Sequence, residues 1–305
     1  YIDPDDENES EDTALLDNCL SLYFWGRSSH LCDNLIQVIS SNMHELALVA
    51  HAKGKGLDMI EICGGEARAS QIAVRRHLQA GPNFDLVTMI DLTDPKHQHD
   101  TMTFIVNNDV FVAVMAPVCG PFGPLGRLNE HIHPEGARRS YEEHAPLARF
   151  CGRVAKAQLE RGNHFIQEQP YPSTLYHETP WPHVLKHANV VQTVYDRCMM
   201  GLCVHHGEFK GYRIKKPSSM TASCHELTYY FMNRRCDHSH EHIPFTGALG
   251  KRDVYAGAEV WTWKEAQAVV DGIELCIRQR RNGYNVVCSY PVEVSKIARA
   301  QKGSA

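Results

Sequence analysis

The chain has 305 residues, 43% of them hydrophobic and 22% charged, with a formal net charge of −5. That balance suits a globular protein with a sizeable core and excludes a fibrous or wholly disordered chain. No run approaches the roughly 18 apolar residues of a membrane span, and eleven cysteines, an odd number spread over a long chain, argue for reduced thiols inside a cell rather than a disulfide framework.

Residues 1–12 form an acidic lead-in without the apolar centre of a signal peptide, and are predicted to be a disordered tail. They hold seven carboxylates (Asp3, Asp5, Asp6, Glu7, Glu9, Glu11 and Asp12), so the remainder of the chain is slightly basic. Residues 13–56 are expected to form a helical N-terminal cap, because Leu15, Cys19, Leu22, then Leu35, Ile39, Met43 and Leu46, recur at helical spacing. The rest, 57–305, is predicted as one α/β domain with a Cys/His-rich insert around 198–242.

Leu57–Ile62 is a short apolar strand carrying Glu61 near its end. Gly64-Gly65 then allows a sharp turn and close approach to a ligand, and Ala67–Leu78 is predicted helical. Strand, glycine turn and helix open the nucleotide site of a doubly wound fold. The spacing is not G-x-G-x-x-G, which disfavours a dinucleotide. A second strand is expected over Asp85–Ile90, ending at Asp91, whose carboxylate is placed to accept from a ribose diol. An ordinary βαβ turn that happens to use glycine remains the alternative.

The segment from Phe111 to Pro124 runs from apolar, β-prone residues into a loop rich in Pro and Gly, with Cys119 at its mouth. Arg127, in the same loop, is a candidate cation for a thiolate. A long helix is predicted from Tyr141 to Arg161, and then a strand over Asn163–Pro170 delivers Glu168 just before a proline expected to end pairing. Ligands of an open α/β sheet lie outside the carboxyl ends of its strands, so Cys119 and Glu168 are expected to face one pocket. The plainer alternatives are a small buried thiol and a solvated turn carboxylate.

Val190–Tyr195 and Lys216–Ser223 alternate enough to be late strands, and Val260–Arg280 and Pro291–Gln301 are predicted helices. Basic clusters at 210–216, 234–235 and 278–281 permit contact with phosphates without demanding it. The run Cys236-Asp-His238-Ser-His240-Glu-His242 offers thiol and imidazole, the preferred zinc ligands, with Cys198 and Cys203 first in line to complete a site. With nineteen histidines in the chain, a polar loop is the competing reading.

The order of these motifs resembles that of the S-adenosylmethionine-dependent DNA cytosine-5 methyltransferases, over roughly residues 57–295. The likeness is strongest to the divergent cytosine-methyltransferase-like domains of some retroelement polyproteins, through the proline-cysteine loop followed by Asn129, the Glu168-x-Pro170-x-x-Ser173 segment, and the Cys198-Met-x-Gly-Leu202 stretch. The chain departs from that family where Val118 separates Pro117 from Cys119, where Gln169 replaces the usual Asn, and where Cys63-Gly64-Gly65 replaces spaced glycines. A separate target-recognition domain is not located.

The resemblance implies a Rossmann-like methyltransferase fold that binds S-adenosyl-L-methionine over Glu61, Ile62, Cys63, Gly64 and Gly65, with Asp91 at its ribose and Pro117 beside it. It implies Cys119 as a thiolate adding to cytosine C6 and Glu168 as the group holding or protonating N3. The partner would be DNA with the cytosine flipped from the duplex, which points to the nucleus. It also implies Zn²⁺ on Cys198, Cys203, Cys236, His238 and His240, since a similar Cys-x-x-His-x-His pattern occurs at the matching place. Two readings stay open: an enzyme of this fold acting on RNA or a small molecule, with Cys119 incidental, and a non-catalytic module that binds nucleic acid.

Overall fold

The structure, a computed structural model, describes residues 56–205, 209–243 and 258–282. The acidic tail, the expected helical cap apart from Gly56, and the expected helix at 291–301 lie outside the described residues.

The first half alternates strand and helix: β1 Met59–Ile62, α1 Arg68–Arg75, β2 Ala80–Phe84, α2 Pro95–Asn107 and β3 Val112–Met115. Then come α3 Pro124–Ile132, α4 Pro134–Glu160 and β4 His164–Pro170. The remainder holds α5 Trp181–Val184, β5 Val191–Asp196, β6 Arg213–Ile214, β7 Pro217–Ala222, α6 His225–Thr228, β8 His242–Ile243 and α7 Trp263–Arg281.

Six strands form one sheet in the order β2-β1-β3-β4-β7-β5. β1 to β4 run parallel, in registers such as Met59↔Val112 and Val112↔His164, while β7 is antiparallel to both β4 and β5. Every residue of β1, β3 and β4 is buried. The period of two explains it: Ile60, Ile62, Ala113 and Met115 join Ile105 of α2 and Phe150 and Val154 of α4, whereas Met59, Val112 and Val114 join Ala69 of α1 and Val269 and Ile273 of α7. Helices therefore cover both faces of an α/β sheet. β6 and β8 form a separate two-stranded parallel sheet over a small cluster of Leu202, Val204, Ile214 and Ile243.

The order in which the parallel strands are laid down reverses between β1 and β3. From β1 the chain passes to β2 on one side, then returns across β1 to place β3 on the other. The carboxyl ends of β1 and β3 are thus a topological switch point, where open α/β sheets bind their ligands.

Three sequence expectations need correction here. The second strand is Ala80–Phe84, not Asp85–Ile90. Its Gly-Pro pair suggests a turn, but β2 is an edge strand, where a residue lacking N–H is tolerated. The apolar run Leu86, Val87 and Met89 is instead exposed, in and beside a 3₁₀ turn capped by Asp85. Pro170 does not end pairing, for it stands opposite Ser218 of β7, with Tyr171 N–H donating to the Pro217 carbonyl just beyond. The long helix starts seven residues before the expected Tyr141, at Pro134, and runs through Pro146; Pro134 fits the first turn, whose N–H groups lack helical partners in any case.

Candidate functional site

The switch point is shaped by a glycine turn held from the side. Gly64 N–H donates to Asn83 Oδ1 at 3.1 Å, Asn83 Nδ2 donates to Gly65 O, and Gly65 N–H donates to Asp85 Oδ2 at 2.9 Å. Cys63, Gly65 and Ala67 all have positive φ. A Cβ on Gly64 would lie 2.6 Å from Glu61 Oε2 and 2.8 Å from Asn83 Oδ1, whereas one on Gly65 would meet no protein atom and project into open space, although at φ +55° it would be strained. The acid at the end of β2 is therefore Asp85. Asp91 lies beyond the turn, with its carboxylate taken by Thr93 N–H and Oγ1, and it does not line the cavity described next.

A cavity of about 390 Å³ opens over this turn. Glu61, Cys63, Gly64 and Gly65 line one side of it, and Pro117, Val118, Cys119 and Gly120 another. Glu168 reaches it from the end of β4, and Lys216 from just before β7. Arg68 and the segment Glu259-Val260-Trp261 complete the wall. Cys119 and Glu168 do meet in one cavity with the glycine turn. Ile62 does not: its side chain faces the other way along the pleat and is fully buried in the core.

The loop of Cys119 is tightly tied. Its carbonyl accepts from Phe122 and Gly123 N–H, and Gln169 Nε2 donates to Pro117 O at 2.8 Å. Ser173 Oγ in turn donates to Gln169 Oε1, so Gln169 fastens the Cys119 loop to β4. Arg127 is exposed on α3 and does not line the cavity. Lys216 supplies the positive charge instead. Burial pushes the Cys119 thiol above its ordinary value, Lys216 draws it back down, and Glu168 and Glu259 push it up.

Two further carboxyls matter. Glu61 is almost fully buried, accepts from Ser70 N–H, and is pushed up to about 7, chiefly by burial. Glu168 Oε1 is buried and finds no hydrogen-bond partner among the described residues. A buried polar atom without a partner calls for a ligand or a water, and Glu168 is one of the residues that line the cavity. A second cavity of about 270 Å³ shares Gly120 with the first and takes in Asn129, Ser140 and Tyr141.

Thiols and imidazoles converge at another place. Cys198, in a 3₁₀ turn after β5, Cys236 and His240, on the approach to β8, and His242, its first residue, have ligand atoms all within 4.8 Å of one another. Cys236 Sγ lies 3.7 Å from His240 Nε2 and 3.5 Å from His242 Nε2. This set can bind a metal ion. Burial and the adjacent Cys236 thiol push Cys198 up to about 12, and a cation between the sulfurs would reverse that penalty. Cys203 and His238 do not belong to the cluster. The Cys203 backbone bridges to Arg213, and His238, at φ 59°, lies edge-on to the His242 ring at 5.8 Å with its Nε2 3.0 Å from Lys215 Nζ, while its N–H donates to Cys236 Sγ. His242 replaces them, since pairing of β8 with β6 brings it back to the group.

No helix among the described residues is long and apolar enough to cross a membrane. Comparison with family models, with curated proteins and with solved structures found no significant match.

Proposed function

We propose that this chain binds S-adenosyl-L-methionine at the switch point and transfers a methyl group to C5 of cytosine in DNA through a covalent bond from Cys119. The observation that carries the reading is the meeting of Cys119, Glu168 with its unpartnered Oε1, and the Glu61–Gly65 turn around one cavity. The residues suit the cofactor: Gly65 leaves its side of the cavity open, and Glu61, Glu66 and Glu259 favour a cationic ligand. S-adenosyl-L-methionine would supply the methyl group, already activated on a sulfonium.

The chain's own part is to make C5 nucleophilic. Cys119 sulfur forms a bond to C6 as the C5=C6 electron pair moves toward C5, and the Glu168 carboxyl delivers a proton to N3. Once C5 carries the methyl, its proton passes to solvent and the C5–H pair becomes the C5=C6 bond. The S–C6 bond breaks with its pair going to sulfur, and N3 returns its proton to the Glu168 carboxylate. Lys216 holds negative charge on that sulfur when the thiol deprotonates. A base stacked in duplex DNA cannot enter such a cavity, so flipping is part of the reading.

The test is calorimetric binding of S-adenosylhomocysteine, followed by transfer of a labelled methyl group to DNA, with RNA of the same sequence as the comparison. Absence of binding, or methylation of RNA alone, would remove the proposal. Lys216→Met should raise the apparent pKa of Cys119, slowing its alkylation by iodoacetamide at pH 7.5 by about 10-fold. Lys216→Arg should retain most of the rate. Equal alkylation profiles in all three proteins would show that Lys216 does not act on the thiol.

We read the Cys/His cluster as a zinc site. Bonds of about 2.3 Å to sulfur and 2.0 Å to nitrogen put the ligand atoms of a tetrahedron roughly 3.3 to 3.8 Å apart. The sulfur–nitrogen separations of 3.5 and 3.7 Å around Cys236 already fall in that range.

A further inference from the structure

The Cys/His cluster and the ligand cavity are joined by three consecutive residues, Asp196, Arg197 and Cys198, at the end of β5. Cys198 belongs to the cluster. Asp196 Oδ2 accepts from Cys236 N–H at 2.8 Å and pairs with Arg235 at 3.3 Å, fixing the loop that carries the other ligands. Arg197 points the opposite way. It is fully buried, donates to the carbonyls of Ala258 at 2.5 Å and Val260 at 2.7 Å, and forks onto Glu265 at 2.6 and 2.7 Å.

The carbonyls that Arg197 holds flank Glu259 and Trp261, which line the cavity. The same turn makes a second attachment, since Thr262 Oγ1 donates to Met200 O at 2.7 Å. Lys216 Nζ adds a third bond, to Ala258 O. At its far end the strap is tied to α1, where Arg68 Nη1 donates to Trp261 O and its guanidinium lies over the Trp263 ring. Residues 258–262 therefore form a strap slung between the turn that holds Cys198 and the helix that follows the glycine turn. The strap carries no regular strand pairing; these attachments, the packing of Ala258 and Trp261, and the Thr262 cap of α7 set its placement.

We infer that a divalent metal on the Cys198 cluster fixes the 258–262 strap and so raises the affinity of the cavity for its ligand, with Arg197 as the connecting residue. The inference rests on the reading of the cluster as a metal site. It deepens the proposed function by naming what regulates the cavity. Metal bonds to Cys198 lock the turn at 197–200, the turn locks the carbonyl contacts, and the strap then closes the cavity wall in one place. Linkage makes the effect reciprocal: whatever factor metal adds to ligand affinity, ligand adds to metal affinity.

The experiment compares the full chain loaded with Zn²⁺ and stripped by a chelator, with metal content measured. Amide hydrogen exchange is followed across the chain, and S-adenosylhomocysteine is titrated calorimetrically. Stripping should speed exchange in 258–262 as well as in 196–200 while β1, β3 and β4 stay protected. It should weaken ligand binding about 10-fold or more, the usual range for coupled sites, and restored Zn²⁺ should reverse both. Bound ligand should slow loss of metal to the chelator. Cys236→Ser should reproduce the stripped state, and His238→Ala, outside the cluster, should not.

Faster exchange at 196–200 and 234–243 with an unchanged strap would overturn the coupling, as would failure to take up metal or a general loss of protection in the sheet. If neither form binds S-adenosylhomocysteine, the proposed methyltransferase function fails, and the exchange of 258–262 alone still decides the coupling.

Discussion

DNA carrying 5-fluorocytosine should trap this protein as a covalent adduct through Cys119, provided S-adenosyl-L-methionine is present. Fluorine at C5 cannot leave as a proton does, so the thioether to C6 persists after methyl transfer. Cys119→Ser should abolish the adduct and lower methyl transfer by on the order of 10³-fold or more, because an alcohol is a far weaker nucleophile at neutral pH than a thiolate. Cys119 is half-buried at the cavity wall, so the substitution removes reactivity with little loss of packing. Glu168→Gln should slow trapping by roughly 10²-fold or more, the usual scale for a positioned acid, while leaving S-adenosylhomocysteine affinity nearly unchanged. Its role begins when the base arrives. Denaturing gels and mass spectrometry read both results. A parent protein that binds the cofactor yet yields no adduct with suitable DNA would move the function to RNA or a small molecule.

The second large effect is on stability. Arg197 and Glu265 are an ion pair with both side chains essentially inaccessible to water. Burial lowers the attraction of arginine for its proton, but Glu265 more than offsets that and holds the guanidinium above its ordinary value. Arg197→Met should cost about 3–5 kcal/mol in urea denaturation, because it leaves a buried carboxylate without its cation. In the same step Val260 O loses its donor, and Ala258 O is left with Lys216 Nζ alone. Arg197→Met combined with Glu265→Gln should recover a substantial part of the loss, since the uncompensated charge is gone and the amide can still serve Tyr195 or Thr262. A single variant as stable as the parent would show that the pair contributes little to this fold.

Much of the sheet was legible in the sequence because its central strands are short, apolar and bounded by glycine or proline. β1, β3 and β4 lie within a few residues of their expected limits, and both late strands, β5 and β7, fall where alternation placed them. The convergence of Cys119 and Glu168 was legible for a topological reason. Consecutive parallel strands end at one edge of the sheet, so residues just after them share a crevice. The Glu61–Gly65 turn entered the same crevice by the same rule.

Legible from the residues alone are the elements whose side chains read their surroundings locally, along one strand or one helix turn. The remaining placements follow from contacts between distant segments. Lys216, not Arg127, faces Cys119 because β7 runs backward and brings its amino end to the edge where β4 finishes. Glu259 and Trp261 reach the cavity on a segment whose carbonyls are held by distant residues, Arg197, Lys216 and Arg68. Asp85 displaces Asp91 because β2 is an edge strand that tolerates the proline that hid it. His242 displaces His238 because one left-handed residue aims an imidazole at Lys215 and a two-stranded pairing brings another to the sulfurs. Each of these depends on a reversal of direction or a contact between distant segments, and neither leaves a periodic trace in the residues nearby.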